Sequence, residues 1–342
     1  MHRQQKLLLP SKAILKLWAE QIGKTGPSAR SNFRIFSGRG GMLRMNSKGK
    51  FRKEYLGRIV VTTAGLFIIV LTLAIGAFLI YKGTATFTVD RHSVAEFLFS
   101  AEWNPAQQGQ GGKVGAAVFI VGSILISLLA LLISTPFSVA AALFMTEISP
   151  QLGRRILQPA VEIFVGIPSV VYGWVGLTVL VPFLAEIFDL PYGYSVLAGA
   201  IVLAVMIFPT ITSVSADAIR SVPEEYKEAS YGLGSTRWQS IVHVVLPAAV
   251  PGILTGVVLG LARAFGEALA VAMVIGKMHA FPENILSPTT NLTAAITADM
   301  GNTTAGSEWN NALWAMALLL LVISFLFILL IRLIGRLGAK ER

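Results

Sequence analysis

A chain of 342 residues with 54% hydrophobic and only 13% charged residues departs from soluble domains, which carry about a quarter charged residues. Its apolar residues cluster into runs of roughly twenty, the length that crosses a hydrocarbon core of about 30 Å. The composition therefore excludes a soluble enzyme or binding domain and points to a polytopic membrane protein. The runs are continuously apolar instead of alternating in period two, so the expected fold is an all-α bundle and not a barrel. The sequence has no cysteine, and His2, His92, His243 and His279 show no ligand spacing, so no disulfide, metal site or cofactor is expected.

The formal net charge of +10 is unevenly placed. Residues 1–58 hold 14 of the 28 Lys and Arg against Glu20 and Glu54, while residues 59–342 hold 14 basic and 16 acidic groups. The basic excess thus belongs to an N-terminal tail, 1–58, expected as a flexible arm kept cytoplasmic by the positive-inside rule. It has few aromatics and no nucleic-acid-binding pattern, so no nucleic-acid partner is expected. The apolar part of "KLLLP" is shorter than the roughly 7–15 residues of a signal-peptide core.

In chain order, the body 59–342 is expected to contain six spans. The first is at about 59–80. The second, about 115–145, follows the linker-like "QQGQGG" at 107–112 and is expected to be interrupted at Pro136. The third, about 159–187, contains "GIPSVVYG", where glycines and a proline make a poor regular helix, so a break is expected. Irregular backbone at membrane depth faces protein or a water-filled cavity. Gly166, Pro168 and Ser169 are therefore candidates for a gate or pathway lining, the other reading being tight packing through small residues. The fourth, about 196–214, contains "PTITSVS": Pro209 frees a carbonyl, and Thr210 either lines a polar pathway or bonds between helices. The fifth, about 248–276, has Arg263 and Glu267 as its two ionisable residues, and the sixth lies at about 312–334. Placing Arg154, Arg155, Arg220, Lys227, Arg237 and the terminal "RLIGRLGAKER" on the cytoplasmic side gives six spans with both termini inside.

Counted from Pro251, Arg263 lies about 18 Å along the fifth span at 1.5 Å per residue. An ionisable residue at mid-bilayer costs about 2.5–3.5 kcal/mol on insertion scales, so two of them need a reason. On a continuous helix their i, i+4 spacing puts both side chains on one face, where they can pair. One reading is an ion pair that holds helices together; buried pairs, however, are often no more stabilising than apolar replacements. The other is an anion station, with Arg263 supplying a planar bidentate fork and Glu267 holding it between anions.

The loop 217–247, "DAIRSVPEEYKEASYGLGSTRWQSIVHVVLP", begins a helix at Pro223 with Glu224 and Glu225 complementing the positive dipole end. The pattern stops at Gly232 and Gly234, and a second amphipathic piece, Trp238 to Val245, leads into the fifth span. Glu228-Ala229-Ser230, three residues, Gly234, nine residues, Val244, one residue, Leu246-Pro247 resembles the EAA loop of ABC importer permeases. Ser230 and Val244 depart conservatively from that pattern. The resemblance implies a type I ABC importer permease fold in which Glu228, Ala229, Gly234, Leu246 and Pro247 belong to a cytoplasmic coupling helix seated on an ATPase subunit. It also implies a transport subunit and not an enzyme, and the chain has no G-x-x-x-x-G-K-[ST] phosphate loop.

"SAEWNP" at 100–105, "VEIFVGIPSVVYGWVGLTVLVPFL" at 161–184, "LARAFGEALAVAMVIG" at 261–276 and "LTAAITADM" at 292–300 are similar to the C-type permeases (PstC) of phosphate-specific ABC importers. The resemblance spans roughly residues 55–335. It implies import of inorganic phosphate across a bacterial inner membrane, with translocation through Arg263 and Glu267. The implied partners are a paralogous permease, two ABC ATPase subunits and a periplasmic or lipid-anchored phosphate-binding protein. A permease for sulfate or molybdate is the nearest rival, because an arginine in a pore does not distinguish oxyanions. A membrane lipid-phosphate enzyme lacks clustered acid, base or metal groups here, and a passive channel needs no ATPase-docking loop.

Overall fold

In a computed structural model, residues 47–106 and 111–340 are described. Helix α1 (Ser47–Gly83) is followed by α2 (Ala85–Thr88), α3 (Val94–Phe99) and an antiparallel pair of two-residue strands, β1 (Trp103–Asn104) and β2 (Lys113–Val114), with Trp103 opposite Val114. Helix α4 (Ala117–Leu143) ends in a π-helical turn, Phe144–Ile148; α5 (Pro150–Leu152) and a second such turn, Gly153–Leu157, lead to α6 (Gln158–Gly166). Helix α7 (Ser169–Val175) runs through a third π-helical turn into α8 (Val181–Ile187), and α9 (Val196–Arg220) follows. Helices α10 (Glu224–Gly232) and α11 (Arg237–Ser240) precede α12 (Leu246–Gly266), α13 (Leu269–Val274), α14 (Leu292–Asp299) and α15 (Glu308–Lys340). Among the described residues six helical stretches are long and apolar enough to cross a membrane: Gly57–Thr88, Ala117–Ile148, Ser169–Ile187, Val196–Arg220, Arg237–Gly266 and Glu308–Leu333.

The chain divides into two units, Met1–Thr72 and Leu73–Arg342. Of the arm expected over 1–58, residues 1–46 lie outside the described residues, and 47–58 already belong to α1. In the second unit α9 is the central element, because small and branched residues occupy almost every side of it. Leu203, Ile207 and Ile211 of α9 share one core with Phe119, Ile126 and Ala130 of α4, Leu261 and Phe265 of α12, and Leu313 and Met316 of α15. In lipid such contacts gain little from water exclusion, so close approach decides them. Helix α12 supplies this with a Gly252, Gly256, Gly260 stripe: a Cβ at Gly252 would lie 2.4 Å from the Ala218 Cβ, and one at Gly260 2.7 Å from the Ile211 Cγ1.

The segment before α4 is fastened to the start of α15 by a buried carboxylate. Glu308, 2% exposed, accepts from the His92 ring and from the backbone N–H groups of Ala106 and Gly112, the last two at 3.1 Å. Three donors compensate the cost of burying that charge.

Two span expectations need correction. The second span is not interrupted at Pro136, which sits inside α4; Ser138 Oγ donates to the Phe208 carbonyl on α9 at 3.2 Å, and this packing holds the helix through the proline. The fifth span is not continuous over 248–276, because α12 ends at Gly266 and the chain turns before α13. The third span does break where expected, between Gly166 and Ser169.

The tightest approach on α4 is at Gly122, where a Cβ would lie 1.9 Å from the Thr290 carbonyl oxygen. Gly122→Ala must displace that backbone and is expected to cost about 1–3 kcal/mol. It should lower the thermal aggregation midpoint of the purified protein; an unchanged midpoint contradicts this packing.

Candidate functional site

Arg263 and Glu267 do not share a helical face. Arg263 occupies the last turn of α12, whereas Glu267 has an extended backbone (φ −78°, ψ 118°) just beyond it. Two local causes favour this break. Gly266 is a weak helix former, and the Glu267 carboxylate instead accepts the Ala270 N–H at 3.0 Å. There it complements the positive end of α13. The Glu267 carbonyl accepts from Thr293 Oγ1 of α14 at 2.8 Å, so the interrupted backbone is satisfied within protein, as membrane depth requires.

Arg263 is half-buried and donates from Nη1 to Thr210 Oγ1 on α9 at 3.2 Å. Among the described residues no carboxylate lies within ion-pairing distance of it. The carbonyl end of α12 provides its compensating negative potential. The expected Arg263–Glu267 pair is therefore replaced by two separate attachments, Arg263 to Thr210 and Glu267 to the α13 backbone. Pro209 is buried inside α9 without ending it, and Thr210 takes the interhelical bond.

The third span breaks just before α7, which packs on α13. Ile167 and Pro168 are extended, with ψ of 127° and 142°. A Cβ at Gly166 meets nothing within 4 Å, while one at Gly173 would lie 2.8 Å from the Ala270 Cα. Close packing is thus the role of Gly173, and Gly166, Pro168 and Ser169 form the turn itself. Sequence reasoning missed Tyr172, whose phenol donates to the Phe164 carbonyl at 2.8 Å. Its signal was the spacing from Pro168, one helical turn.

The loop 217–247 forms two short helices joined by a tight turn. Pro223 caps α10, with Glu224 and Glu225 in its first turn; Gly234, with φ +83°, makes the turn, a conformation that favours glycine. Thr236 and Gln239 close a capping box at α11. Glu228, Ala229 and Gly234 are exposed, while Leu246 and Pro247 are half-buried in the first turn of α12. The loop presents Leu233 at 90% exposure and Trp238 at 63%, beside a cleft of about 390 Å³ lined by Ser230, Ser235, Gln239 and His243.

The sequence did not show what holds this loop. Lys227 Nζ contacts Glu147 Oε1 at 2.8 Å and Glu224 Oε2 at 3.3 Å. Arg237 donates to the carbonyls of Glu147 and Ile148. Burial favours the neutral amine of Lys227, but hydrogen bonding and charge from Glu147, then Glu224, outweigh it and raise its pKa above the usual 10.5. Helix α10 is thereby tied to the end of the second span.

Comparison with known proteins places this geometry among transporters. The profile of the binding-protein-dependent transport system inner membrane component matches residues 134–337. The chain is 54% identical over 279 residues to the probable ABC transporter permease protein YqgH of Bacillus subtilis, covering 82% of this chain and 90% of that one. It is 38% identical over 267 residues to the phosphate transport system permease protein PstC of Mesorhizobium japonicum, covering 71% and 80%. The Pasteurella multocida protein of the same name is 35% identical over 308 residues, covering 84% and 93%. A crystal structure of a bacterial alginate ABC transporter, in complex with its pentasaccharide-bound periplasmic protein, contains a chain of the same fold. Its TM-score is 0.56 at 19% identity, over 84% of this chain and 96% of that one.

Because the folded pKa of Lys227 is raised, its ion pairs contribute fully below pH 10.5, the unfolded value, and the contribution is lost as pH rises through the folded value. Lys227→Met leaves the Glu147 carboxylate without its cation. Hydrogen exchange over Glu224–Gly232 at neutral pH should accelerate about ten- to a hundredfold; wild-type protection in the variant contradicts the tie.

Proposed function

Because the chain belongs to the family of binding-protein-dependent transport system inner membrane components, the permeases of ABC transporters, we propose that it is the C-type permease of an ATP-driven importer of inorganic phosphate. It is a transport subunit and not an enzyme. The reading assigns ATP hydrolysis to two ABC ATPase subunits, delivery to a periplasmic or lipid-anchored phosphate-binding protein, and the second wall of the pathway to a paralogous permease. The protein resides in the bacterial inner membrane, with both termini, the N-terminal one carrying the basic excess, and loop 217–247 on the cytoplasmic side.

The observation that carries the reading is Arg263, a half-buried guanidinium in a membrane span whose hydrogen bond goes to the neutral Thr210. Phosphate at neutral pH is a mono- and dianion mixture that needs fixed cationic donors to leave water. A guanidinium stays charged when buried and offers a fork matched to two oxyanion oxygens. Thr210 positions that fork between anions, the part the sequence assigned to Glu267. Glu267 instead fixes the turn that ends α12 beside it. The relatives named for phosphate transport supply the choice of phosphate over other oxyanions.

On this reading, exposed Glu228, Ala229 and Gly234 meet the ATPase, and Leu246 and Pro247 pass its motion into α12. Lys227, Glu147 and Arg237 carry the same motion to the second span.

Arg263→Gln keeps a polar side chain but removes the charge. It should abolish ATP-dependent uptake of labelled phosphate while the complex still assembles and hydrolyses ATP; uptake at the wild-type rate would sink the proposal. Glu228→Lys should release the ATPase subunit on co-purification in detergent, and unchanged retention would speak against the docking assignment.

A further inference from the structure

Pro168 leaves one carbonyl of the third span without its helical donor. In an unbroken helix the Phe164 carbonyl accepts the N–H of residue 168, and proline has none. The orphaned oxygen is taken by the Tyr172 hydroxyl at 2.8 Å, from eight residues on. Tyr172 stands one turn beyond the proline, on the face of α7 that reaches back over the break. The bond therefore spans the hinge and fixes its angle.

The same residue sits next to a contact with the segment that follows Arg263. Its ring is half-buried. With Phe164, Ile167 and Val171 it lines an open apolar cavity of about 510 Å³ beside the break. The next residue, Gly173, is pressed against Ala270, and the Ala270 N–H is the group that Glu267 binds. Contacts thus run unbroken from the Arg263–Glu267 segment to the hinge.

We propose that Tyr172 is a second hydrogen-bond donor to the transported oxyanion, its hydroxyl exchanging between the Phe164 carbonyl and an anion held by Arg263. Arrival of the anion then unlatches the third span, and departure closes it. The inference rests on the reading of Arg263 as an anion station. A phenolic O–H bonds a charged oxygen about twice as strongly as a neutral carbonyl, so the exchange runs toward the anion when one is present. No covalent step is involved; one hydrogen bond replaces another.

The test uses the assembled transporter in liposomes, with labelled inorganic phosphate as the probe. Tyr172→Phe removes the hydroxyl and keeps the ring in its cavity. The phosphate carried per ATP hydrolysed should fall about tenfold, the factor expected for one hydrogen bond to a charged group. A merely structural role lowers uptake and hydrolysis together and leaves that ratio unchanged, which would overturn the proposal. Spin labels at Ile163→Cys and Thr178→Cys, in a chain without native cysteine, flank the hinge on exposed positions. Their separation should respond to phosphate in the otherwise wild-type chain and lose that response in Tyr172→Phe; a preserved response also overturns the latch. Pro168→Ala gives Phe164 a helical donor and should likewise abolish the response, so its persistence there counts against the latch independently. Arg263→Gln run in parallel separates the two claims. Lost uptake there beside a wild-type Tyr172→Phe rejects only the latch, whereas wild-type uptake in both rejects the anion station too.

Discussion

A backbone polar group inside a bilayer has no water to turn to, and the structure is organised around that constraint. Each place where a span stops being helical must find its hydrogen bonds within the protein. At the third-span break the donor is the Tyr172 hydroxyl, which caps the Phe164 carbonyl. At the fifth-span break the Glu267 carboxylate takes the Ala270 N–H, and the Thr293 hydroxyl takes the Glu267 carbonyl. These substitutes are single side-chain bonds, each weaker than a helical ladder. The two breaks are also neighbours, because Gly173 brings α7 against Ala270 of α13. A half-buried arginine, Arg263, stands one turn before the second of them.

Much of this was legible in the sequence. Run lengths gave six spans, and the proline and glycines of "GIPSVVYG" gave the third-span break, because proline removes a donor whatever surrounds it. The fixed spacing from Glu228 to Pro247 marked the loop helices, whose caps at Pro223 and Thr236 depend on local chemistry alone. The fifth-span break was not legible. "ARAFGEALAV" contains one weak helix former among strong ones, and continuous helix is the reading that propensity supports. Gly266 and the local Glu267–Ala270 bond favour the turn, but tertiary contacts complete it: Thr293, 26 residues on, and the seating of α13 against α7. The i, i+4 pairing of Arg263 with Glu267 failed for the same reason, since it presumed the helix. Pro136 erred in the opposite direction, because packing of α4 on α9 carries the helix through it.

The loop between the fourth and fifth spans obeys a different balance. It is wet enough for charge to be cheap, and its attachment uses ions instead of close packing. Lys227 reaches Glu147 across 80 residues of sequence, a distance over which no spacing rule operates. The consequence is mechanical. A push on α10 is felt at the end of the second span through Lys227 and Arg237, and at the fifth through the continuous run from α11 into α12. Arg263 lies in the last turn of that helix, so a helical path joins the loop to the cation.

The central claim is that these parts together move phosphate at the expense of ATP. Labelled-phosphate uptake by the reconstituted complex, with sulfate and molybdate as competitors, tests it most directly. The account predicts ATP-dependent accumulation of phosphate that neither competitor suppresses at equal concentration. Accumulation of sulfate or molybdate in its place, or phosphate entry that persists without ATP, contradicts it.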